Sequence, residues 1–224
     1  YAGGVQGIIR QIKEHLHLDA MTVTGKTLGE NLKDLEKVHF FDKVKRYLTN
    51  YRLSAEDILA PADKPRGKGA IAVLQGNIAP SYAVVKYSAV PKEMFKHVGP
   101  AIVFENEKDT FNAIVGGKIK KGSVIVIRYV GPKGCGMPEM FYPTEALASS
   151  PELFDTTALI TDGRFSGASR GPCVGYVSPE ATEGGPIAIV ENGDLIEIDI
   201  PCRRLDLVGV GGALEKPGAM DAII

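Results

Sequence analysis

This 224-residue chain lacks tryptophan, has few cysteines and carries almost no excess of charge. It has no Trp, three Cys and a formal net charge of −1. Because Lys and Arg are spread along the chain, the charge pattern disfavours nucleic acid or an anionic membrane as a partner. No apolar run approaches the roughly 20 residues that span a bilayer, and no signal segment opens the sequence. We therefore expect a cytoplasmic globular protein with neither nucleic acid nor membrane as a partner.

The three cysteines do not by themselves predict a metal site. Cys135, Cys173 and Cys202 are far apart, form no CxxC pair and have no His at ligand spacing. We expect Cys173 and Cys202 to be partly buried thiols in a reducing compartment. Cys135 is less ordinary, because it stands four residues before Glu139 on a glycine-rich loop.

The pattern of apolar residues changes from helical to strand-like near residue 66. Before it, helical spacing links four apolar residues, Val5, Ile8, Ile9 and Ile12. Thr27 and Glu30 have the spacing of a capping box. A connector rich in Pro, Gly and Lys follows, and the later apolar runs are short and β-branched. The sequence thus predicts a mainly helical segment over residues 1–66 and a β-rich domain over 67–224.

The second domain is predicted to be α/β and barrel-like. Strands are expected at about 70–75, 83–88, 101–105, 123–130, 157–161, 173–177, 186–190 and 195–200, with helices near 107–116 and 143–149. Asn192-Gly193 predicts a type I′ hairpin between the last two strands. A cap at Asn106, the helix after it and the VIVI run predict a parallel crossover unit. Both parallel and antiparallel pairing are therefore expected.

Two glycine-rich loops, each following a buried strand, carry the candidate site residues. GPKGCGMPEM contains Glu139, and TDGRFSGASRG contains Ser166. Loops at one edge of an α/β sheet commonly build a site together, and glycine lets backbone approach a ligand closely. Glu139 is either a solvated carboxylate or, with Asp162 and the serine loop nearby, one ligand of Mg²⁺. Ser166 either satisfies a turn or acts as a base if a cation lowers its pKa. Since these loops lack His, a metal-assisted mechanism is favoured.

Two familiar motifs occur in a context that argues against their usual chemistry. AMTVTGKT (20–27) fits a loose phosphate-loop pattern, but its residues are stiff and no apolar strand precedes it, so Thr27 is better interpreted as a helix cap. Gly167-Ala-Ser169-Arg-Gly171 matches a hydrolase nucleophile elbow. That fold places its His after the Ser, and no His follows residue 97.

Longer segments resemble the dihydroxy-acid dehydratase family, which also contains 6-phosphogluconate and sugar-acid dehydratases. The resemblance covers nearly the whole chain and is carried by TVTGKTLGENL (22–32), GNIAPSYAVVK (76–86), RYVGPKGCGMPEM (128–140), LITDGRFSGASRGP (159–172) and VSPEATEGGPIAIVENGDLIEIDIP (177–201). It implies that the chain corresponds to the end of the N-terminal domain and the complete C-terminal domain, a swivelling β/β/α module.

The resemblance also implies a reaction, in which a 2,3-dihydroxy acid or sugar acid loses water to give a 2-keto acid. In such enzymes an iron–sulfur cluster acts on the C3 hydroxyl, and Mg²⁺ holds the carboxylate and the C2 oxygen. Ser166 is then the base and Glu139 a Mg²⁺ ligand. The cluster cysteines, a Mg²⁺-binding Asp and a modified Lys are expected in the N-terminal domain.

The partners implied are the small-molecule substrate, that N-terminal domain and, in full length, further copies of the chain. By itself the chain is expected to be inactive. The alternative from another functional class is a non-catalytic binding or subunit module with the same fold.

Overall fold

The computed structural model of the chain describes residues 2–65 and 69–215. The chain divides into two compact units, residues 1–68 and 69–224. The predicted boundary near residue 66 falls outside the described residues. Within the described ranges, no helix is both long and apolar enough to cross a membrane.

The first unit is helical in its described part. Its α-helices are α1 (Gly4–Gln11), α2 (Leu28–Lys37) and α3 (Phe40–Thr49). Thr27 and Glu30 form the predicted capping box at the start of α2. The Thr27 hydroxyl accepts from the Glu30 N–H at 3.2 Å, and the Thr27 N–H donates to the Glu30 carboxylate at 2.8 Å. These bonds satisfy N–H groups that a helix start leaves unpaired.

The loose phosphate-loop motif is a tight turn that leads into this cap. Met21 pairs with Thr27 in an antiparallel bridge, and the Thr22 N–H donates to the Lys26 carbonyl at 3.0 Å. The Lys26 ammonium forms an ion pair with Asp34. A working phosphate loop needs its lysine and its backbone N–H groups directed at a ligand. Here the lysine pairs with α2 and the Thr22 N–H closes the turn, and the bonds between Thr27 and Glu30 confirm the interpretation of Thr27 as a cap.

The described part of the second unit is built on one nine-stranded mixed sheet, so the predicted α/β class is confirmed. The strands are β1 (Ala72–Leu74), β2 (Tyr82–Val85), β3 (Lys96–Phe104), β4 (Val124–Ile127), β5 (Ala158–Thr161), β6 (Cys173–Ser178), β7 (Leu195–Asp199), β8 (Arg204–Val210) and β9 (Ala213–Leu214). Their order in the sheet is β1-β2-β6-β5-β4-β3-β7-β8-β9. The four central strands, β3 to β6, are parallel, and the outer pairs are antiparallel.

Helices of the second unit connect the central strands. They are α4 (Glu107–Val115), α5 (Pro132–Cys135), α6 (Phe141–Ala148) and α7 (Pro151–Phe154). The Asn106 side chain caps α4 by accepting from the Asp109 N–H at 2.8 Å, and β3–α4–β4 is the predicted crossover. Every residue of β4 and β5 is buried. One face of these strands joins a core inside the curled sheet and the other a core beneath the helices, which explains their continuous apolar runs.

The predicted hairpin at Asn192-Gly193 is wrong. The segment before it, Pro186–Ile189, is a 3₁₀ turn, and β7 pairs instead with β3 and β8. Pro186 has no N–H to donate to a strand ladder, and the turn still buries Ile187 in the core. Strand β8 was not predicted, because Asp206 and Gly209 interrupt its apolar run.

The segment after β1 curls the sheet by joining its first strand to β8. Gln75 forms a parallel bridge with Arg204. The Asn77 side chain exchanges two hydrogen bonds with the backbone of Leu207, at 2.9 and 2.6 Å. A Cβ on Gly76 would lie 1.9 Å from the Leu205 carbonyl oxygen, so only glycine fits there. The GNIAP motif therefore closes the barrel-like sheet.

Candidate functional site

Strands β4 and β5 bring the two candidate loops to one edge of the sheet. They are parallel neighbours in register, from Val124 opposite Ala158 to Ile127 opposite Thr161. Because both strands run in the same direction, the Glu139 loop and the Ser166 loop begin at the same carboxyl edge of the sheet. This is the strand arrangement that a shared site requires.

The two loops contact each other directly through their backbones. Glu139 and Arg164 form a parallel β-bridge, and the Met140 N–H donates to the Arg164 carbonyl at 2.9 Å. The Arg164 Nε also donates to the Met137 carbonyl at 3.0 Å. The segment that carries Glu139 is thus bonded to Arg164, which precedes Ser166 by two positions in the neighbouring loop.

Asp162 fastens the base of both loops. Its buried carboxylate accepts from the N–H groups of Tyr129 at 3.1 Å, Val130 at 3.0 Å and Ala181 at 2.9 Å. Burial raises the pKa of Asp162, while the three backbone donors act in the opposite direction. Both carboxylate oxygens are occupied by backbone, so Asp162 organises the loops.

Glu180 is a second buried carboxylate that the sequence interpretation missed. It accepts from the N–H groups of Lys133 at 2.8 Å and Gly134 at 3.0 Å, in the first turn of α5. A Cβ on Gly131 would lie 2.2 Å from the Glu180 Oε2, which explains why glycine begins this loop. The available signal was an acidic residue two positions after the mostly buried strand β6, since a carboxylate that becomes buried needs hydrogen-bond partners.

Ser166 lies in the wall of a cavity of about 310 Å³. It is half-buried, and its Oγ accepts a hydrogen bond from the Ala168 N–H at 3.1 Å. The apolar part of the wall includes Ile71, Val84, Phe165 and Tyr176, and the polar part includes Lys86 and Ser169. A hydroxyl beside apolar walls and one cation suits a small acid with a carbon chain.

Glu139 does not line that cavity. Its side chain is exposed, and among the residues that the structure describes none pairs with or hydrogen-bonds to its carboxylate. The structure therefore brings the two loops together, with Ser166 in a cavity wall and Glu139 at the exposed rim of the same sheet edge. The carboxylate remains available for a ligand outside this chain's own contacts.

Metal ligands are sparse on the described residues. They include no group of three or more His, Cys, Asp or Glu side chains able to hold a metal ion. A single carboxylate such as Glu139 still suits Mg²⁺, which binds few carboxylates and completes its shell with water and substrate oxygens.

The cysteines do not fit an iron–sulfur cluster. Cys173 is buried as expected, and burial raises the pKa of its thiol to about 12. Cys135 and Cys202 are exposed, so the expected partial burial of Cys202 is wrong. It lies in the turn between β7 and β8, and its N–H donates to Asp199 at 2.9 Å. Cluster ligands must be thiolates grouped around the iron, and these three are not grouped.

Comparison with known proteins places these features in a family. Residues 57–215 match the model of the dihydroxy-acid/6-phosphogluconate dehydratase C-terminal domain. The chain is 49% identical to the dihydroxy-acid dehydratase of Methanothrix thermoacetophila, over 96% of the chain and 37% of that protein. It is 53% identical to the dihydroxy-acid dehydratase of Caldanaerobacter subterraneus, over 92% of the chain and 35% of that protein. The chain thus spans little more than a third of the length of these relatives.

Proposed function

Because the chain belongs to the dihydroxy-acid/6-phosphogluconate dehydratase family, we propose that it supplies one half of the active site of a hydro-lyase. The substrate is a 2,3-dihydroxy acid, either an aliphatic dihydroxy acid or a sugar acid, and the product is the 2-keto acid. The observation that carries the proposal is the backbone bridge between Glu139 and Arg164. It couples the loop with the exposed Glu139 carboxylate to the loop with a cavity-lining serine.

Ser166 is the base in this proposal. Its Oγ, once ionised, accepts the proton from C2 of the substrate. The electron pair of that C–H bond forms the C2–C3 double bond. The C3 hydroxyl leaves as hydroxide and takes up the proton that Ser166 accepted, which gives water and restores the ionised Oγ. The enol that remains tautomerises to the keto acid. The Ala168 N–H directed at Oγ favours the ionised hydroxyl over the neutral one, because a donor stabilises negative charge on an acceptor.

Glu139 is the residue of this chain that would hold Mg²⁺. When bound, the ion supplies positive charge that holds the substrate carboxylate and the C2 oxygen. Glu139 would hold the ion at the sheet edge from which the Ser166 loop also leaves. Asp162, in contrast, fixes the distance between the loops by its bonds to Tyr129 and Val130.

An iron–sulfur cluster does not fit the cysteines of this chain, so we derive no step through one. We propose that cluster ligands and the other Mg²⁺ ligands belong to the part of the longer protein that corresponds to the N-terminal domain of the relatives. The further partners proposed are the substrate and additional copies in a homo-oligomer. The purified 224-residue chain should then contain no stoichiometric iron and form no keto acid after anaerobic reconstitution.

Ser166→Ala in a full-length enzyme containing this chain tests the proposal. We expect kcat to fall by about 10³-fold or more with Mg²⁺ and substrate affinity changed less than about tenfold, because only the proton acceptor is removed. Ser169→Ala, a change of the same size in the same cavity, is the matched control and should be much milder. Near-normal turnover in Ser166→Ala would exclude Ser166 as the base.

A further inference from the structure

We propose that Lys86 is a positioning residue for Ser166. The inference rests on the proposed role of Ser166 as the base. Lys86 lines the same cavity as Ser166, and its ammonium donates a hydrogen bond to the carbonyl of Gly167, the residue that follows Ser166. Lys86 thereby holds the peptide unit next to the reacting hydroxyl and adds a positive charge to the cavity wall.

The fold places Lys86 there through the pairing of β2 with β6. Val85 stands opposite Val174 in this antiparallel pair, so the residue after β2 lies beside the end of the Ser166 loop. A second bond joins the same segments, from the Gly171 N–H to the Ala89 carbonyl at 3.0 Å. Residues 86–89 thus hold the loop at its middle and at its end.

The middle of the loop depends on this anchor because its other hydrogen bonds to described residues are local. The Ser169 N–H donates to the Ser166 carbonyl at 3.1 Å, and the Ala168 N–H donates to the Ser166 Oγ. A Cβ on Gly167 would meet no atom within 4 Å, so packing does not fix this residue. A local turn can move as a unit, and the Lys86 bond ties it to the sheet.

The charge of Lys86 adds an electrostatic effect to the positional one. Ile71, Val84 and Phe165 make much of the cavity wall apolar. A cation favours the ionised form of a neighbouring hydroxyl, although solvent screens part of this effect because Lys86 is exposed. The ammonium therefore favours the ionised form of Ser166, and removing it should move the onset of activity to higher pH.

Lys86→Met tests the inference, because Met retains much of the side-chain length without the charge or the donor. In the full-length enzyme we expect kcat to fall about 10- to 100-fold with KM within about threefold, and the acidic limb of the kcat profile to move up by about one pH unit. Lys86→Arg should restore most of the activity and the pH profile. Lys121→Met, at an exposed turn residue outside the cavity, is the control and should behave like the unaltered enzyme.

Hydrogen exchange on the 224-residue chain gives a readout that needs no catalysis. The amides of residues 167–169 should exchange at least about tenfold faster in Lys86→Met and not in Lys121→Met. Unchanged exchange, or an unchanged kcat and pH profile with Ser166 intact, would overturn the role of Lys86. A failure of the proposed function would instead be seen as normal turnover in Ser166→Ala.

Discussion

The carboxylate of Asp162 accepts a hydrogen bond from the Val130 N–H at 3.0 Å, across 32 positions of sequence. Asp162 opens the loop that carries Ser166, and Val130 opens the loop that carries Glu139. Together with the bonds to Tyr129 and Ala181, this bond fixes the position of the two loops relative to each other at the edge of the sheet. Asp162 therefore holds the two candidate loops in place without itself lining the Ser166 cavity.

Asp162→Asn should destabilise the chain by about 2–3 kcal/mol, because an amide can accept with one oxygen only and turns its NH₂ toward backbone donors. Urea unfolding at neutral pH measures the change. Asp155→Asn, at an exposed position after α7, is the matched control and should stay within about 0.5 kcal/mol. Equal stabilities of the two variants would show that the Asp162 network does not hold the loops.

Glu139→Gln should weaken Mg²⁺ binding by a full-length enzyme at least about tenfold and lower turnover with it, because the amide keeps the size but loses the negative charge. Titration of activity against Mg²⁺ concentration measures this. Glu145→Gln, an exposed carboxylate on α6, supplies the control. An unchanged Mg²⁺ requirement in Glu139→Gln would exclude Glu139 as a ligand.

Thiol labelling of the 224-residue chain with a disulfide reagent near pH 8 should show two reactive groups and one protected group. Cys135 and Cys202 are exposed, whereas Cys173 is buried with its pKa raised to about 12, so it holds almost no thiolate. The third thiol should react only after denaturation. Cys202→Ser should reduce the fast phase to one group, and three equal rates would contradict the burial of Cys173.

The stability of the chain should fall as the pH is lowered through 6.5, with His97 as one cause. This half-buried ring lies in β3 with its Nε2 3.0 Å from the Gly122 carbonyl oxygen. Burial lowers the pKa of His97 from 6.5, although the Gly122 bond acts in the opposite direction.

The sign follows from which state binds the proton more tightly. The unfolded chain takes up the proton first on acidification, so stability present above 6.5 is lost between that value and the lower folded pKa. His97→Gln should flatten the urea midpoint over this window, whereas His39→Gln, at an exposed ring, should not. If the urea midpoint varies with pH in the same way for the unaltered chain and both variants, His97 is not a cause of the loss of stability.

The sequence by itself determined those helices and strands that depend on residues close to one another along the chain. The capping box at Thr27, the buried strands β4 and β5 and the crossover through α4 all follow from spacing and apolar content. The edge shared by the Glu139 and Ser166 loops also follows, because parallel neighbours must end on the same side. Residue type alone then made these two side chains candidates for their roles, which remain predictions.

Tertiary structure decided what depends on partners far along the chain. Lys86 reaches Gly167 across 81 positions, and Glu180 reaches Lys133 across 47. The same holds for Pro186–Ile189, whose apolar run resembles a strand but forms a 3₁₀ turn, while β3 and β8 lie on the two sides of β7. Periodicity reports which face of a segment is buried. The partner of each donor and acceptor is set only when the sheet curls and brings distant segments together.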